Sequence, residues 1–164
     1  MYVIAQIFGF AAICSSIIIY SRKTRDKLIF FKSLQDLFWV VHYSLISAYS
    51  AAATNALCFV RESVFSRVKN KKWDKILLAV FLMLYLLSAV LTWKNIFSIF
   101  PAVSSSISTV AFWSKNPRTT KKLSICAATC TFIYNLMLAQ SVSVYVGVAF
   151  TAITSIVSLV KKDK

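Results

Sequence analysis

The sequence predicts an all-α membrane protein: seven short transmembrane helices in a 3+1+3 parallel-repeat bundle, with the N-terminus outside and the C-terminus inside. Three observations predict it. Hydrophobic residues make up 59% of the 164 positions and mean hydropathy is +0.71, with only two glycines and two prolines, against roughly 45–50% apolar content in soluble domains. The apolar residues come in long blocks separated by short connections, and lipid is the simplest solvent for such blocks. The basic residues, which set a net charge of +14, gather in alternate connections.

The seven apolar blocks are residues 2–20, 28–47, 50–66, 76–93, 96–113, 123–139 and 142–160. At a rise of 1.5 Å per residue each spans roughly 25–30 Å, enough to cross a hydrocarbon core with little tilt. Helices satisfy their own backbone hydrogen bonds in lipid, and the alternating pattern that a barrel strand needs is missing here. The first block is expected to be a retained helix rather than a cleaved signal, because its basic residues follow the apolar stretch.

Connection one carries Arg22, Lys23, Arg25 and Lys27, and connection three carries Arg67, Lys69, Lys71, Lys72 and Lys75. Lys115, Arg118, Lys121 and Lys122 lie in connection five, with Lys161, Lys162 and Lys164 in the tail. Sixteen of nineteen basic residues thus fall on one side, and the even connections hold only Lys94. An excess of Lys and Arg holds a loop in the cytoplasm during insertion, which fixes the expected orientation. The outer turns at Tyr49-Ser50 and Gln140-Ser141 are very short. A single helix over residues 28–66 would nonetheless run to about 58 Å, roughly twice the core of a bilayer.

An internal repeat is visible at a shift of about 92 positions. Gln6-Ile7-Phe8-Gly9 lies against Ser98-Ile99-Phe100-Pro101, and Tyr43-Ser44-Leu45-Ile46 against Tyr134-Asn135-Leu136-Met137. Each series runs helix, basic connection, helix, tight turn, helix, basic end. Residues 1–66 form the first three-helix unit, 67–95 a basic loop and linker helix, and 96–164 the second unit with its basic tail. One intervening helix makes the two units parallel, related by an axis along the membrane normal.

Ile4-Ala5-Gln6-Ile7-Phe8-Gly9-Phe10, Ser21-Arg22-Lys23-Thr24-Arg25, Phe38-Trp39-Val40-Val41-His42-Tyr43 and residues 55–61 resemble the YgjV-type bacterial inner membrane proteins, relatives of the SWEET and PQ-loop superfamily. The resemblance covers nearly the whole chain and is strongest over residues 4–65. It implies the bacterial cytoplasmic membrane, a 3+1+3 bundle, and carriage of small neutral solutes such as sugars. It also implies that Asn55, on the third helix of its unit, contacts the solute, with Thr151 or Thr154 in the second unit. The Pro-Gln dipeptide of PQ-loop members is absent from Ile18-Ile19-Tyr20-Ser21 and from Val110-Ala111-Phe112-Trp113, so their gating hinge is not expected.

Polar groups inside a membrane need a partner or a wet cavity. Lys32, Gln35, Asp36, Trp39, His42 and Tyr43 recur at helical spacing, which places them on one face of the second helix, directed into the bundle. Lys32 and Asp36 can pair, and Arg61 with Glu62 reach a similar depth on the third helix. These four are the candidates for a cytoplasmic gate, against the plainer reading of a static cluster joining two helices. The candidate pocket residues are Gln6, Trp39, His42, Tyr43, Asn55, Ser105, Asn135 and Thr151, a mixture of amide, hydroxyl and aromatic groups suited to a hydroxylated solute. Ser104 and Ser108 lie on the same stretch as Ser105. For Gln6 and Asn55 helix-to-helix hydrogen bonding is the competing reading. His42 is expected as a satisfied bundle histidine, with a proton-coupled role left open. Pro101, in the first turns of its helix, is read as tolerated there without function.

The four cysteines lie within apolar blocks. Cys126 and Cys130 share a helix face and are expected as buried small residues rather than metal ligands, since no His or carboxylate is near them in sequence. No cofactor or metal is expected. With one His, five carboxylates, no Gly-rich phosphate loop and no paired nucleophile, an enzyme is not expected. Nucleic-acid binding is not expected either, since the basic residues are dispersed over short loops. The expected partners are the bilayer, with anionic lipid at the inner face, and a small neutral solute; a homo-oligomer stays open. A non-transporting scaffold or accessory subunit is the alternative to a carrier.

Overall fold

A computed structural model describes residues 1–21, 25–67, 71–113 and 117–160. Seven of the basic residues behind the orientation argument, Arg22, Lys23, Lys69, Lys115 and the tail lysines Lys161, Lys162 and Lys164, lie outside these. The described residues form seven α-helices and no strand: α1 Tyr2–Ser21, α2 Arg25–Leu45, α3 Tyr49–Arg67, α4 Lys71–Leu91, α5 Phe100–Trp113, α6 Pro117–Tyr134 and α7 Val142–Val160. A 3₁₀ turn, Ile96–Ile99, leads into α5, and a π-helical turn, Asn135–Ala139, extends α6.

Each apolar block is a helix, but several helices begin before their blocks do. α2 starts at Arg25, α4 at Lys71 and α6 at Pro117, because Lys and Arg are good helix formers and proline suits a first helical position. The start of α5 is corrected in the other direction. The Asn95 side chain accepts from the Phe97 N–H at 3.0 Å while the Ser98 hydroxyl receives the Asn95 N–H, a reciprocal cap that winds residues 96–99 more tightly. Pro101 then falls in the first turn of α5 and is buried, where its missing N–H costs no helical hydrogen bond.

Two tight turns close without glycine. Ser47 (φ 58°) and Gln140 (φ 44°) are left-handed, the conformation that ends helices by returning N–H groups to the last carbonyls. The Ala48 N–H reaches the Tyr43 carbonyl at 2.9 Å, and the Gln140 N–H reaches that of Asn135 at 2.7 Å. Contacts between turns gather them at one end of the bundle. The Lys94 ammonium donates to the Ser47 carbonyl at 2.9 Å, the Ser50 hydroxyl to that of Thr92 at 3.1 Å, and the Tyr2 hydroxyl to that of Gln140 at 3.5 Å. This is the turn end; the opposite, basic end is where α1, α3 and α5 finish and α2, α4 and α6 begin.

α2 packs against α1 and α3, and α6 against α5 and α7. α7 also meets α1, α5 meets α3, and α4 packs on both α3 and α5. The interior is made of small and polar side chains: Ala5, Ala12, Ala51, Ala102, Ala111 and Ala127 are buried, as are Thr54, Ser98, Ser104 and Thr109. Large apolar residues such as Ile7, Phe30, Val80, Met83, Leu87 and Ile153 face outward. In water the packing logic would run the other way; small residues inside and bulky ones outside are what lipid selects. By length and composition Lys122–Ala139 is apolar and long enough to cross a membrane, and Tyr2–Ile18, Lys75–Leu91, Ile96–Ala111 and Val142–Ile153 are shorter apolar stretches.

The cysteine expectation is corrected. Cys126 is exposed and Cys130 half-buried, because Ala127, Ala128, Thr131 and Tyr134 occupy the inward face of α6. Cys58 is buried and Cys14 exposed.

Candidate functional site

A cavity of about 330 Å³ lies among α1, α2, α3, α5, α6 and α7. α2 supplies Lys32, Gln35, Asp36, Trp39 and Tyr43; α3 supplies Asn55 and Arg61; α5 supplies Ser104, Ser105 and Ser108; α7 supplies Gly147 and Thr151. Toward the turn end it stops against Tyr43, Tyr134 and Val144, each at most 4% exposed. Tyr43 stacks on Trp39 with ring centroids 5.6 Å apart, so an aromatic wall follows the α2 face.

Two ion pairs border the cavity. The Lys32 ammonium bonds Asp36 Oδ1 one turn away, and the Asp36 side chain is 3% exposed. Arg61 Nη2 meets its neighbour Glu62 at 2.5 Å. Arg61 Nη1 crosses to Thr109 on α5 and to the Tyr85 hydroxyl on α4, the latter at 3.4 Å. Tyr85 is wholly buried, 3.4 Å from Cys58 Sγ. The guanidinium fork thus ties α3 to α4 and α5, which the five fixed donors of arginine allow and a lysine would not.

A second cluster sits at the turn end, where α1, α2 and α7 meet. His42 Nδ1 lies 2.7 Å from the Ala5 carbonyl and Nε2 lies 2.9 Å from Ser141 Oγ. A carbonyl only accepts, so Nδ1 carries the hydrogen and Nε2 accepts from Ser141. Ser141 Oγ in turn receives Gln6 Nε2 at 3.2 Å and the Ser143 hydroxyl at 3.0 Å, while the Ser143 N–H donates to Gln6 Oε1 at 2.9 Å. Asn135 exchanges two hydrogen bonds with the Ser141 backbone, at 2.9 and 3.0 Å, which holds the turn. His42, Asn135, Ser141 and Ser143 are fully buried. Gly9 makes the approach possible: a Cβ there would lie 2.1 Å from Ser143 Oγ and 3.0 Å from His42 Nδ1.

The sequence candidates therefore divide. Trp39, Tyr43, Asn55, Ser105 and Thr151 line the cavity together with Lys32, Asp36 and Arg61. Gln6, His42 and Asn135 belong to the turn-end cluster instead, and Glu62 backs Arg61 from outside the cavity wall. Thr154 lies outside the described side chains. Sequence reasoning missed Ser141, Ser143, Tyr85, Thr109 and Gly9. Of these only Gly9 carried a local signal, as one of two glycines in the chain and set within a helix, where glycine is costly without a packing reason.

An inward-facing polar interior beneath an apolar exterior, in a bundle of seven helices, defines a multi-pass membrane protein. The Imp-YgjV family, described as bacterial inner membrane protein, matches residues 3–164. The chain belongs to that family and to the bacterial inner membrane. No curated protein matches it, and no solved structure matches it.

Proposed function

We propose that this protein is a carrier or facilitator for small neutral polar solutes. Its two three-helix units, α1–α3 and α5–α7, rock about the cavity between them, with the turn end facing outward. One observation carries the reading: the cavity draws its walls from both units, is lined by amide, hydroxyl and aromatic groups, and is of the small size that fits a small solute. The pattern of helix contacts within and between the two units supports the repeat, since exchanging α1 with α5, α2 with α6 and α3 with α7 turns α1–α2 into α5–α6, α2–α3 into α6–α7 and α1–α7 into α5–α3; the linker α4, packed on α3 and α5, stands outside this symmetry. The buried Tyr43 and Tyr134 correspond in the two units, and a left-handed residue, Ser47 or Gln140, follows each in the turn that leads to the next helix. Tyr43 and Tyr134 would form the outer closure, and Lys32 with Asp36 the inner one. On this reading the protein works in the manner of SWEET and PQ-loop carriers, and its inner face meets anionic lipid.

Uptake of neutral sugars and amino acids into proteoliposomes tests it, run beside Asn55→Ala. Saturable uptake of a neutral solute that Asn55→Ala weakens supports the carrier. No uptake by correctly inserted protein favours a scaffold, and uptake indifferent to Asn55→Ala moves the pocket elsewhere.

A further inference from the structure

Lys32 and Asp36 form a pair of unequal members. The Lys32 side chain is 23% exposed and that of Asp36 3%. Asp36 sits near the middle of α2, with roughly 15 Å of helix toward either end. The ammonium can therefore leave for water at the basic end by extending its stem, whereas the carboxylate has no such route. Lys32 holds only Oδ1; Oδ2 is buried and has no hydrogen-bond partner among the described residues. A buried carboxylate that loses its cation is strongly destabilising, and the usual remedy is to neutralise it.

The architecture does not require that charge. Asp36 and Lys32 stand seven and eleven residues before Tyr43, and Ala127 and Leu123 stand seven and eleven before Tyr134. Ala127 is buried and lines the same cavity, so the second unit builds the equivalent stretch of wall from apolar side chains. Nor does another cation stand ready to replace Lys32. α3 brings Cys58, Arg61 and Glu62 within electrostatic reach of the pair, but Arg61 is engaged by Glu62, Thr109 and Tyr85, and Cys58 lies against Tyr85. α1, packed on the other side of α2, brings the uncharged Ile13 and Ser16 to the cavity. His42, farther along α2, is held by Ala5 and Ser141.

We infer that Asp36 is a proton-binding site and that the carrier is a proton symporter, in which the inner closure parts only when a proton has replaced Lys32 on the carboxylate. The proton passes from hydronium to a carboxylate oxygen, leaving water and a carboxylic acid. The hydrogen bond from Lys32 to Oδ1 breaks, and the ammonium keeps its charge and turns to the cytoplasmic water. Rotation about the terminal torsion interchanges the two oxygens, so either can carry the hydrogen. Loss of the proton to the cytoplasm restores the pair and the closure, and each neutral solute crosses with one positive charge. The inference rests on the carrier reading for the solute, but the proton site is also tested without one.

Proteoliposomes holding the full chain are made one pH unit more acidic outside than inside, with the membrane potential clamped by potassium and valinomycin. The probes are the radiolabelled neutral sugars and amino acids of the uptake screen. At one proton per solute, wild type is expected to accumulate its solute toward about tenfold over the outside level. Asp36→Asn, neutral and of the same shape, is expected to exchange labelled for unlabelled solute and to accumulate none. Accumulation by Asp36→Asn, or loss of exchange together with accumulation, overturns the inference. A wild type that only equilibrates its solute also overturns it and leaves a facilitator. Entry of no probe overturns the carrier reading and symport with it, and the proton site is then judged on the protein in micelles. Acidification must raise an infrared stretch of a protonated carboxyl, at the high frequency of one without hydrogen bonds, that is lost in Asp36→Asn. If that variant does not fold, the stretch in wild type must shift with isotope-labelled aspartate. Absence of the stretch removes the proton site as well.

Discussion

Gly9→Ala is the sharpest single test of how the two halves of the bundle are joined. The new methyl would stand 2.1 Å from Ser143 Oγ and 2.6 Å from Ser143 Cβ, whereas non-bonded carbon contacts settle at about 3.5–4.0 Å. α1 and α7 must therefore separate by about 1 Å or more. That displacement stretches the 2.9 Å bond from the Ser143 N–H to Gln6 and the 3.0 Å bond between Ser143 and Ser141. Overpacking costs about 1–3 kcal/mol and each buried hydrogen bond lost about 1 kcal/mol, offset by up to about 1 kcal/mol from alanine's helix preference. The expected net loss is about 2–4 kcal/mol, read from equilibrium unfolding in mixed micelles by circular dichroism. Ser143→Gly alone is expected to cost about 1–2 kcal/mol through helix propensity and the missing hydroxyl. Gly9→Ala/Ser143→Gly moves the glycine across the contact and makes room for the methyl. The pair should thus be non-additive by about 2 kcal/mol in the favourable direction. Additivity within about 0.5 kcal/mol, or a Gly9→Ala variant as stable as the parent, would refute the close approach of α1 and α7.

Gly147→Ala should behave oppositely, since its methyl would meet Trp39 and Ile13 at 3.4 and 3.5 Å, ordinary contact. It is expected to stabilise by about 0.5–1 kcal/mol in the same unfolding measurement while narrowing the cavity beside Trp39. Lys32→Met leaves Asp36 buried and unpaired and is expected to cost about 3–5 kcal/mol, whereas Lys32→Met/Asp36→Leu should recover most of that loss. A double variant no better than the single would mean the pair is not held in a dry site. Arg61→Lys keeps the charge but cannot span Glu62, Thr109 and Tyr85 together. A loss of about 2 kcal/mol or more is expected from the unmatched buried acceptors, checked by unfolding followed at the tyrosines.

The helix spans were legible because lipid imposes a length and the charges punctuate it. The starts of α2, α4 and α6 were less so, since Arg25, Lys71 and Lys72 break an apolar pattern without breaking a helix. The inward stripe of α2 was also legible, but helical spacing says only that Asp36, Trp39 and His42 turn inward together. It does not say that His42 meets α1 and α7 while Trp39 and Asp36, one and nearly two turns away, face the cavity. The partners of Arg61 and His42 were beyond reach for a related reason. Tyr85, Thr109 and Ser141 lie 24, 48 and 99 positions away, and no local pattern records which helix lies opposite.

The ordering of hydrogens around His42 gives that cluster a single direction. Ser143 points at Ser141, Ser141 at the imidazole, and the imidazole at a peptide oxygen, so the file has an entrance and no exit. A proton arriving through the serines would find the far nitrogen already carrying a hydrogen, held by the Ala5 carbonyl. In this conformation the series of donors ends at the Ala5 carbonyl, and handing a proton onward would require the ring to turn.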